Sequence, residues 1–161
     1  MNRLPGVLVR LLLLILAVLL PSAWPTGLPR PDLVILIVAA AALMRGPTTG
    51  LLVGLAGGWL LDLVPPGAEP AGASALTYAA VGLILGLTRR LAASSPVLPF
   101  IATALGSALV LGVRGITAAA GIGRVVWTEL AWTWAITMVV AIIVLPALLA
   151  VERWMRERRW A

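Results

Sequence analysis

Six apolar segments, separated by short stretches that contain arginine, proline and glycine, make up most of the chain. They cover residues 6–23, 31–44, 47–63, 73–88, 96–119 and 126–151. Runs of this kind are typical of helices that cross a lipid bilayer, whose apolar core is about 30 Å thick and needs about 20 residues of helix. The pattern predicts an all-α, polytopic membrane protein with a six-helix transmembrane bundle. Residues 1–161 would form a single transmembrane domain that ends in a basic cytoplasmic tail, residues 152–161.

The composition excludes an ordinary soluble domain. Of the 161 residues, 61% are hydrophobic and 11% are charged, whereas soluble domains have about 45–50% apolar and about 25% charged residues. The net charge of +6 does not indicate a nucleic-acid partner, because the arginines lie mostly between the apolar segments. That placement is typical of the charge asymmetry that orients membrane helices.

The arginine distribution predicts a topology with both termini in the cytoplasm. In this orientation nine arginines lie inside, Arg30 and Arg124 lie outside, and Arg114 falls within a segment. The opposite orientation would invert this bias and violate the positive-inside rule. The second and third segments are short, about 21 Å and about 26 Å as helices. They either cross a locally thinned bilayer or form a re-entrant hairpin, and both alternatives return the chain to the same side.

The residue inventory argues against catalysis and against a bound cofactor or metal. The chain has no histidine and no cysteine, and its six carboxylates are scattered. The usual zinc ligands and the common base–nucleophile pairs are therefore missing. A membrane aspartyl enzyme would need two facing aspartates, and Asp32 and Asp62 are the only two in the chain. We therefore expect a protein that is not an enzyme.

The third segment carries a stripe of glycines. On a helix they fall within one arc of about 120° and repeat the Gly-x-x-x-Gly spacing, which lets helices approach closely in lipid. The glycines are Gly46, Gly50, Gly54, Gly57 and Gly58. The stripe packs either against another helix of the same chain or against a partner protein. Arg45 and Pro47 flank Gly46, and this triplet predicts a tight inner turn between antiparallel helices.

Four charged residues from four different segments are expected at the outer level of the bundle. They are Asp32, Asp62, Arg114 and Glu129. A charge at membrane depth needs a partner, and our hypothesis pairs Arg114 with Asp62 or Glu129. Asp32 has a second role available, as an acid at the positive end of a helix dipole. This outer polar cluster either holds the bundle together or binds a ligand or partner.

Residues 30–88 resemble the rod shape-determining protein MreD family. The resemblance is carried by Pro31-Asp32, Arg45-Gly46-Pro47, Gly50, Gly54, Gly57-Gly58, Asp62, Pro70, Gly72, Ala75-Leu76 and Gly82, in this order and spacing. It implies a non-catalytic component of the bacterial cell-elongation machinery in the cytoplasmic (inner) membrane. The implied partners are MreC and, indirectly, MreB, RodA and the elongation penicillin-binding protein, with a role in supporting or regulating peptidoglycan synthesis. We also expect the lipid bilayer to surround the protein. The sequence does not decide whether the protein forms a homo-oligomer.

The resemblance also implies a fold similar to the substrate-binding subunit of energy-coupling-factor transporters. The alternative function is therefore a substrate-binding subunit of a small-molecule, vitamin-like transporter. In such subunits the first helix commonly carries an alanine-spaced docking surface. The leucine-rich first segment, with Ala17 and Ala23, does not fit that pattern.

Overall fold

The computed structural model describes residues 4–24, 30–64, 72–121 and 126–158, and this part of the chain contains helices and no strands. The prediction of an all-α protein is confirmed. The helices are α1 (Leu4–Leu19), followed by a 3₁₀ turn (Leu20–Ala23), α2 (Leu33–Arg45), α3 (Pro47–Leu63), α4 (Ala73–Leu87), α5 (Arg89–Ala92), α6 (Leu98–Ala119) and α7 (Trp127–Glu157).

The six long helices lie on the six apolar segments, and the largest difference is at the C-terminal end. We expected the last helix to end at residue 151, but α7 continues to Glu157. Glu152 and Met155 are 5% and 0% exposed, so the first part of the predicted tail still turns one face to the bundle. Residues 159–161, and with them Arg159, lie outside the described residues.

Helix α2 is the centre of the bundle. Ten of its 13 residues are buried, and α1, α3, α4, α6 and α7 all pack around it. A helix that is apolar on every side is removed from water, either by surrounding helices or by lipid, and here other helices surround it. The run from Val34 to Leu43 contains valine, isoleucine, leucine and alanine only, which explains its central position.

The long helices alternate in direction along the chain. The N-terminal end of α2 lies beside Thr137 of α7, and its C-terminal end lies beside Glu152 of the same helix. Helices α2 and α7 are therefore parallel. The last turn of α3 reaches the start of α4 through Asp62 and Ala75, so α3 returns to the level at which α2 begins.

The surface of the bundle is strongly apolar. Among the described helices, α6 with 22 residues and α7 with 31 residues are long and apolar enough to cross a membrane. Only 17% of the most apolar window of α7 is buried, whereas the core helix of a soluble protein would be mostly buried. Leu105 and Ile143, for example, are 62% and 77% exposed. This exposure indicates that the protein associates with a membrane.

Candidate functional site

The glycine stripe of α3 packs against α4 within the same chain. A Cβ atom added to any of three glycines would collide with the α4 backbone, and it would lie 2.9 Å from the Ala79 nitrogen in the case of Gly54. The facing pairs are Gly50 with Gly82, Gly54 with Tyr78, and Gly58 with Ser74. Since backbone meets backbone along the whole interface, the stripe serves as a helix-packing surface. Its three central positions are covered by α4.

Two members of the predicted stripe have other surroundings. Gly57 faces α2 and α1, because an added Cβ would lie 2.7 Å from Val34 Cγ1 and 3.0 Å from Leu14 Cδ2. Gly46 connects α2 to α3 with φ of 108°, a left-handed conformation that favours glycine. Pro47 then begins α3 at a position where its missing N–H is tolerated. These residues form a tight turn between α2 and α3.

Asp32 is the N-cap of α2 and also the centre of a buried polar network. Its Oδ1 accepts a hydrogen bond of 3.2 Å from the Ile35 N–H, which satisfies a free donor of the first helical turn. Its Oδ2 accepts a hydrogen bond from the Tyr78 hydroxyl. Its own N–H donates to Thr137 Oγ1 at 2.9 Å. The predicted role at the helix dipole is therefore combined with contacts to α4 and α7.

Tyr78 brings Arg114 to this network. The Tyr78 side chain is fully buried, and Arg114 Nη2 donates to its hydroxyl at 3.0 Å. The guanidinium carbon also lies 5.8 Å from the centre of the tyrosine ring, within the range of a cation–π interaction. We call Asp32, Tyr78, Arg114 and Thr137 the tyrosine network. It joins α2, α4, α6 and α7 at one end of the bundle.

Asp62 caps a helix that has no capping side chain of its own. Gly72 is the N-cap of α4, with φ of 91°, and glycine has no side-chain oxygen to offer to the free N–H groups of the first turn. Asp62 Oδ2 accepts the Ala75 N–H at 3.2 Å from the neighbouring helix α3. Its Oδ1 is buried and has no hydrogen-bond partner. Asp62 also interacts electrostatically with Arg114, so it borders the tyrosine network.

The four predicted members of the outer polar cluster are only partly brought together. Asp32, Asp62 and Arg114 lie at the same end, but Arg114 reaches Asp32 through Tyr78 and makes no direct ion pair in the described part of the chain. Glu129 is exposed in the first turn of α7, and among the described residues its side chain has no hydrogen-bond partner. The proposed pair of Arg114 with Asp62 or Glu129 is not formed here. The phenol of Tyr78 lies between Asp32 and Arg114 and forms hydrogen bonds with both.

A second polar group lies at the opposite end of the bundle. Glu152 accepts two hydrogen bonds from Arg10, from Nε at 2.8 Å and from Nη2 at 3.0 Å, and a third from Arg45 Nε at 2.7 Å. The side chains of Arg10, Arg45 and Glu152 are only 11%, 10% and 6% exposed. We call these three residues the arginine–glutamate cluster. It joins α1, α2 and α7.

The sequence contained signals for the residues that we did not predict. Tyr78 is the only tyrosine of the chain and lies in an apolar segment, where a phenol needs a hydrogen-bond partner. Arg10 and Glu152 both fall at the predicted inner level, but the topology count treated Arg10 as a topological signal and assigned Glu152 to the tail. Opposite charges at one level were sufficient reason to consider a pair.

The comparisons with known proteins add no family assignment. The sequence matches no family profile, no curated protein and no solved structure. The chemistry of the site must therefore be judged from its own residues. Over the described ranges, no three carboxylate side chains converge on a point where a metal ion would be held. The two polar groups instead form hydrogen bonds and ion pairs between helices.

Proposed function

We propose that this chain is a non-catalytic, multi-pass component of the bacterial cytoplasmic membrane that acts in cell elongation as a member of the MreD family. In this proposal all six long helices cross the membrane and both termini are cytoplasmic. The chain binds MreC and, through it, is connected to MreB, RodA and the elongation penicillin-binding protein. It supports or regulates peptidoglycan synthesis without catalysing a step.

The observation that supports this proposal is the location of the residues that carry the resemblance. Most of them fall in or next to α2, α3 and α4, and four of those have a definite structural role there, whereas Pro70 lies outside the described residues. Asp32 caps α2, Gly46 forms the turn, Gly54 packs on α4 and Asp62 caps α4. A shared order of residues supports a family resemblance more strongly when the residues pack together in one unit than when they lie on unrelated surfaces.

The packing of the glycine stripe changes where a partner is expected to bind. Because α4 covers its central positions, MreC is expected to contact the lipid-facing surface of α6 and α7. That surface presents Leu105, Val139 and Ile143, which are 62%, 64% and 77% exposed. Helix–helix association in lipid depends on such surface contacts and on interhelical hydrogen bonds. The same surface would serve a homo-oligomer.

The test is purification of the protein from native membranes in a mild detergent, with the co-purifying proteins identified by mass spectrometry. We expect MreC together with RodA or the elongation transpeptidase. A photo-crosslinking residue at Ile143 should capture MreC, and the same residue at the fully buried Val38 is the matched control. Recovery of none of these partners, from a strain in which they are present, would contradict the proposal.

A second candidate function is the substrate-binding subunit of a small-molecule transporter. The tyrosine network favours it, because Asp62 Oδ1 is buried without a hydrogen-bond partner and Asp62 interacts electrostatically with Arg114. Such a polar group at one end of a bundle resembles the few polar atoms that orient a ligand in an apolar pocket. The same purification separates the two candidates, since a transporter component would recover an ATPase pair and a coupling membrane subunit.

A further inference from the structure

The arginine–glutamate cluster contains more positive than negative charge. Two guanidiniums, those of Arg10 and Arg45, share the single carboxylate of Glu152. A third guanidinium lies close by, because Arg89 Nη1 donates to the Arg45 carbonyl oxygen at 3.1 Å. Glu157, the remaining described carboxylate on this end of α7, is exposed. The cluster therefore has an excess of one positive charge, and of two when Arg89 is included.

One of these guanidiniums has an unused donor. Arg45 Nη2 is buried, with less than 1 Å² exposed, and has no hydrogen-bond partner. The Arg45 side chain as a whole is only 10% exposed. Arg45 is paired with Glu152 through Nε, but a buried donor of a charged group that is left unsatisfied still carries a desolvation cost. The donor at Nη2 is therefore suited to an anionic acceptor that the chain itself does not provide.

The position of α1 leaves a route by which a ligand can reach the arginine–glutamate cluster. Helix α1 packs on α2 and α3 but has no extended packing against α7. Between α1 and α7 the structure places the Arg10–Glu152 ion pair. Arg10 lies on a helix at the edge of the bundle, so rotation of this long side chain would open the cluster towards the surrounding membrane surface.

We propose that the arginine–glutamate cluster, together with Arg89, binds a phosphate group, supplied by the headgroup of an anionic phospholipid or by free phosphate. The oxygens of the phosphate accept hydrogen bonds from Arg45 Nη2 and from Arg10. Guanidinium groups bind phosphate strongly because their planar donors match its oxygens. Basic groups between helices at a membrane surface are suited to anionic headgroups. The proposal is independent of the proposed role in cell elongation.

The experiment uses the full chain in a neutral detergent and measures the midpoint of thermal unfolding against added ligand. The ligands are phosphatidylglycerol, zwitterionic phosphatidylcholine and inorganic phosphate. We expect phosphatidylglycerol to raise the unfolding midpoint saturably and by more than phosphatidylcholine does. In Arg45→Gln the dissociation constant for phosphatidylglycerol should be about tenfold higher. Arg153→Gln, which removes an exposed arginine of α7, is the matched control and should bind as the wild type does. Saturable stabilisation by inorganic phosphate alone would identify free phosphate as the source.

Glu152→Gln keeps the proposal testable if Arg45→Gln does not fold. Removing the carboxylate leaves two buried guanidiniums that an added anion should neutralise. We expect Glu152→Gln to be less stable than the wild type in detergent alone and to gain more from phosphatidylglycerol. Equal stabilisation by the two lipids together with none by inorganic phosphate would overturn the proposal. So would equal losses of affinity in Arg45→Gln and Arg153→Gln, or no additional gain from the stabilising anion in Glu152→Gln.

Discussion

The substitution Gly54→Ala tests the close approach of α3 and α4. The added Cβ would lie 2.6 Å from the Tyr78 carbonyl carbon and 2.9 Å from the Ala79 nitrogen. Ordinary contacts of a Cβ atom begin at 3.4 Å, and both of these atoms belong to the backbone. No side-chain rotation relieves the collision, and the Tyr78 carbonyl oxygen lies nearer still, so the helices must separate by at least about 0.8 Å. A gap of that size forfeits about a quarter to a half of the dispersion energy at the interface.

The magnitude follows from two opposing effects. Overpacking costs about 1–3 kcal/mol, and a rigid backbone contact favours the upper half of this range. Replacing glycine by alanine within a helix stabilises it by about 1 kcal/mol. Gly112→Ala is the matched control, because Gly112 lies inside α6 and an added Cβ there meets nothing within 4 Å. The control should retain the full gain, so the two variants should differ by the overpacking cost alone, about 2–3 kcal/mol.

The assay is equilibrium unfolding in mixed micelles, in which sodium dodecyl sulfate is titrated and helix content is followed by circular dichroism. We expect Gly54→Ala to unfold at a lower denaturant fraction than the wild type and Gly112→Ala at a higher one. If both variants changed stability in the same direction and by amounts within about 0.5 kcal/mol, the helices would not be in backbone contact at Gly54. The role assigned to the glycine stripe would then be wrong.

Three further substitutions test the polar side chains of Tyr78, Asp62 and Glu129. Tyr78→Phe leaves an Asp32 oxygen without its donor, and the free energy of unfolding should fall by about 1–3 kcal/mol in the same micelle titration. Asp62→Ala removes the cap of α4 and should lower the free energy of unfolding by about 0.5–2 kcal/mol. Hydrogen exchange at the Ala75 amide should accelerate. Asp62→Asn should lose less stability, because the asparagine keeps an acceptor oxygen. Glu129→Ala should change stability by less than about 0.5 kcal/mol, because its side chain is exposed, and a larger loss would indicate a contact that we have not assigned.

The apolar pattern was sufficient to locate the long helices because burial in a lipid-facing bundle depends mainly on hydrophobicity and length. Helix α3 begins at Pro47 and ends at Leu63, as the sequence predicted. Gly46 precedes it, and Val64 follows it as the C-cap. Its small face was also predictable, since five glycines at helical spacing leave one side without side chains. The choice of α4 as the partner helix depended on Gly82 and Gly86, whose spacing in the fourth segment offers a matching small face.

The polar contacts were less predictable because a long side chain can reach several neighbours. Arg114 was placed at the correct level, but its partner depended on the rotation of α6 about its axis, which segment boundaries do not determine. Glu152 illustrates a second reason. Its neighbours in sequence are arginines and tryptophan, which are typical of a membrane–water boundary, although its side chain faces the bundle. Local composition described the surface of this turn and did not identify its inward-facing positions, Glu152 and Met155.

The arginine–glutamate cluster also sets an order for biogenesis. Arg10 and Glu152 are 142 positions apart in sequence, and Arg45 and Glu152 are 107 apart. At a synthesis rate of about 5–20 residues per second, the counter-ion of Arg10 emerges about 7–28 s after the arginine itself. A ribosome-bound intermediate therefore holds two guanidiniums without their carboxylate, and the ion pair between Arg10 of α1 and Glu152 of α7 forms only after the last helix has been made. A truncated chain that ends before Glu152 would keep this unneutralised pair.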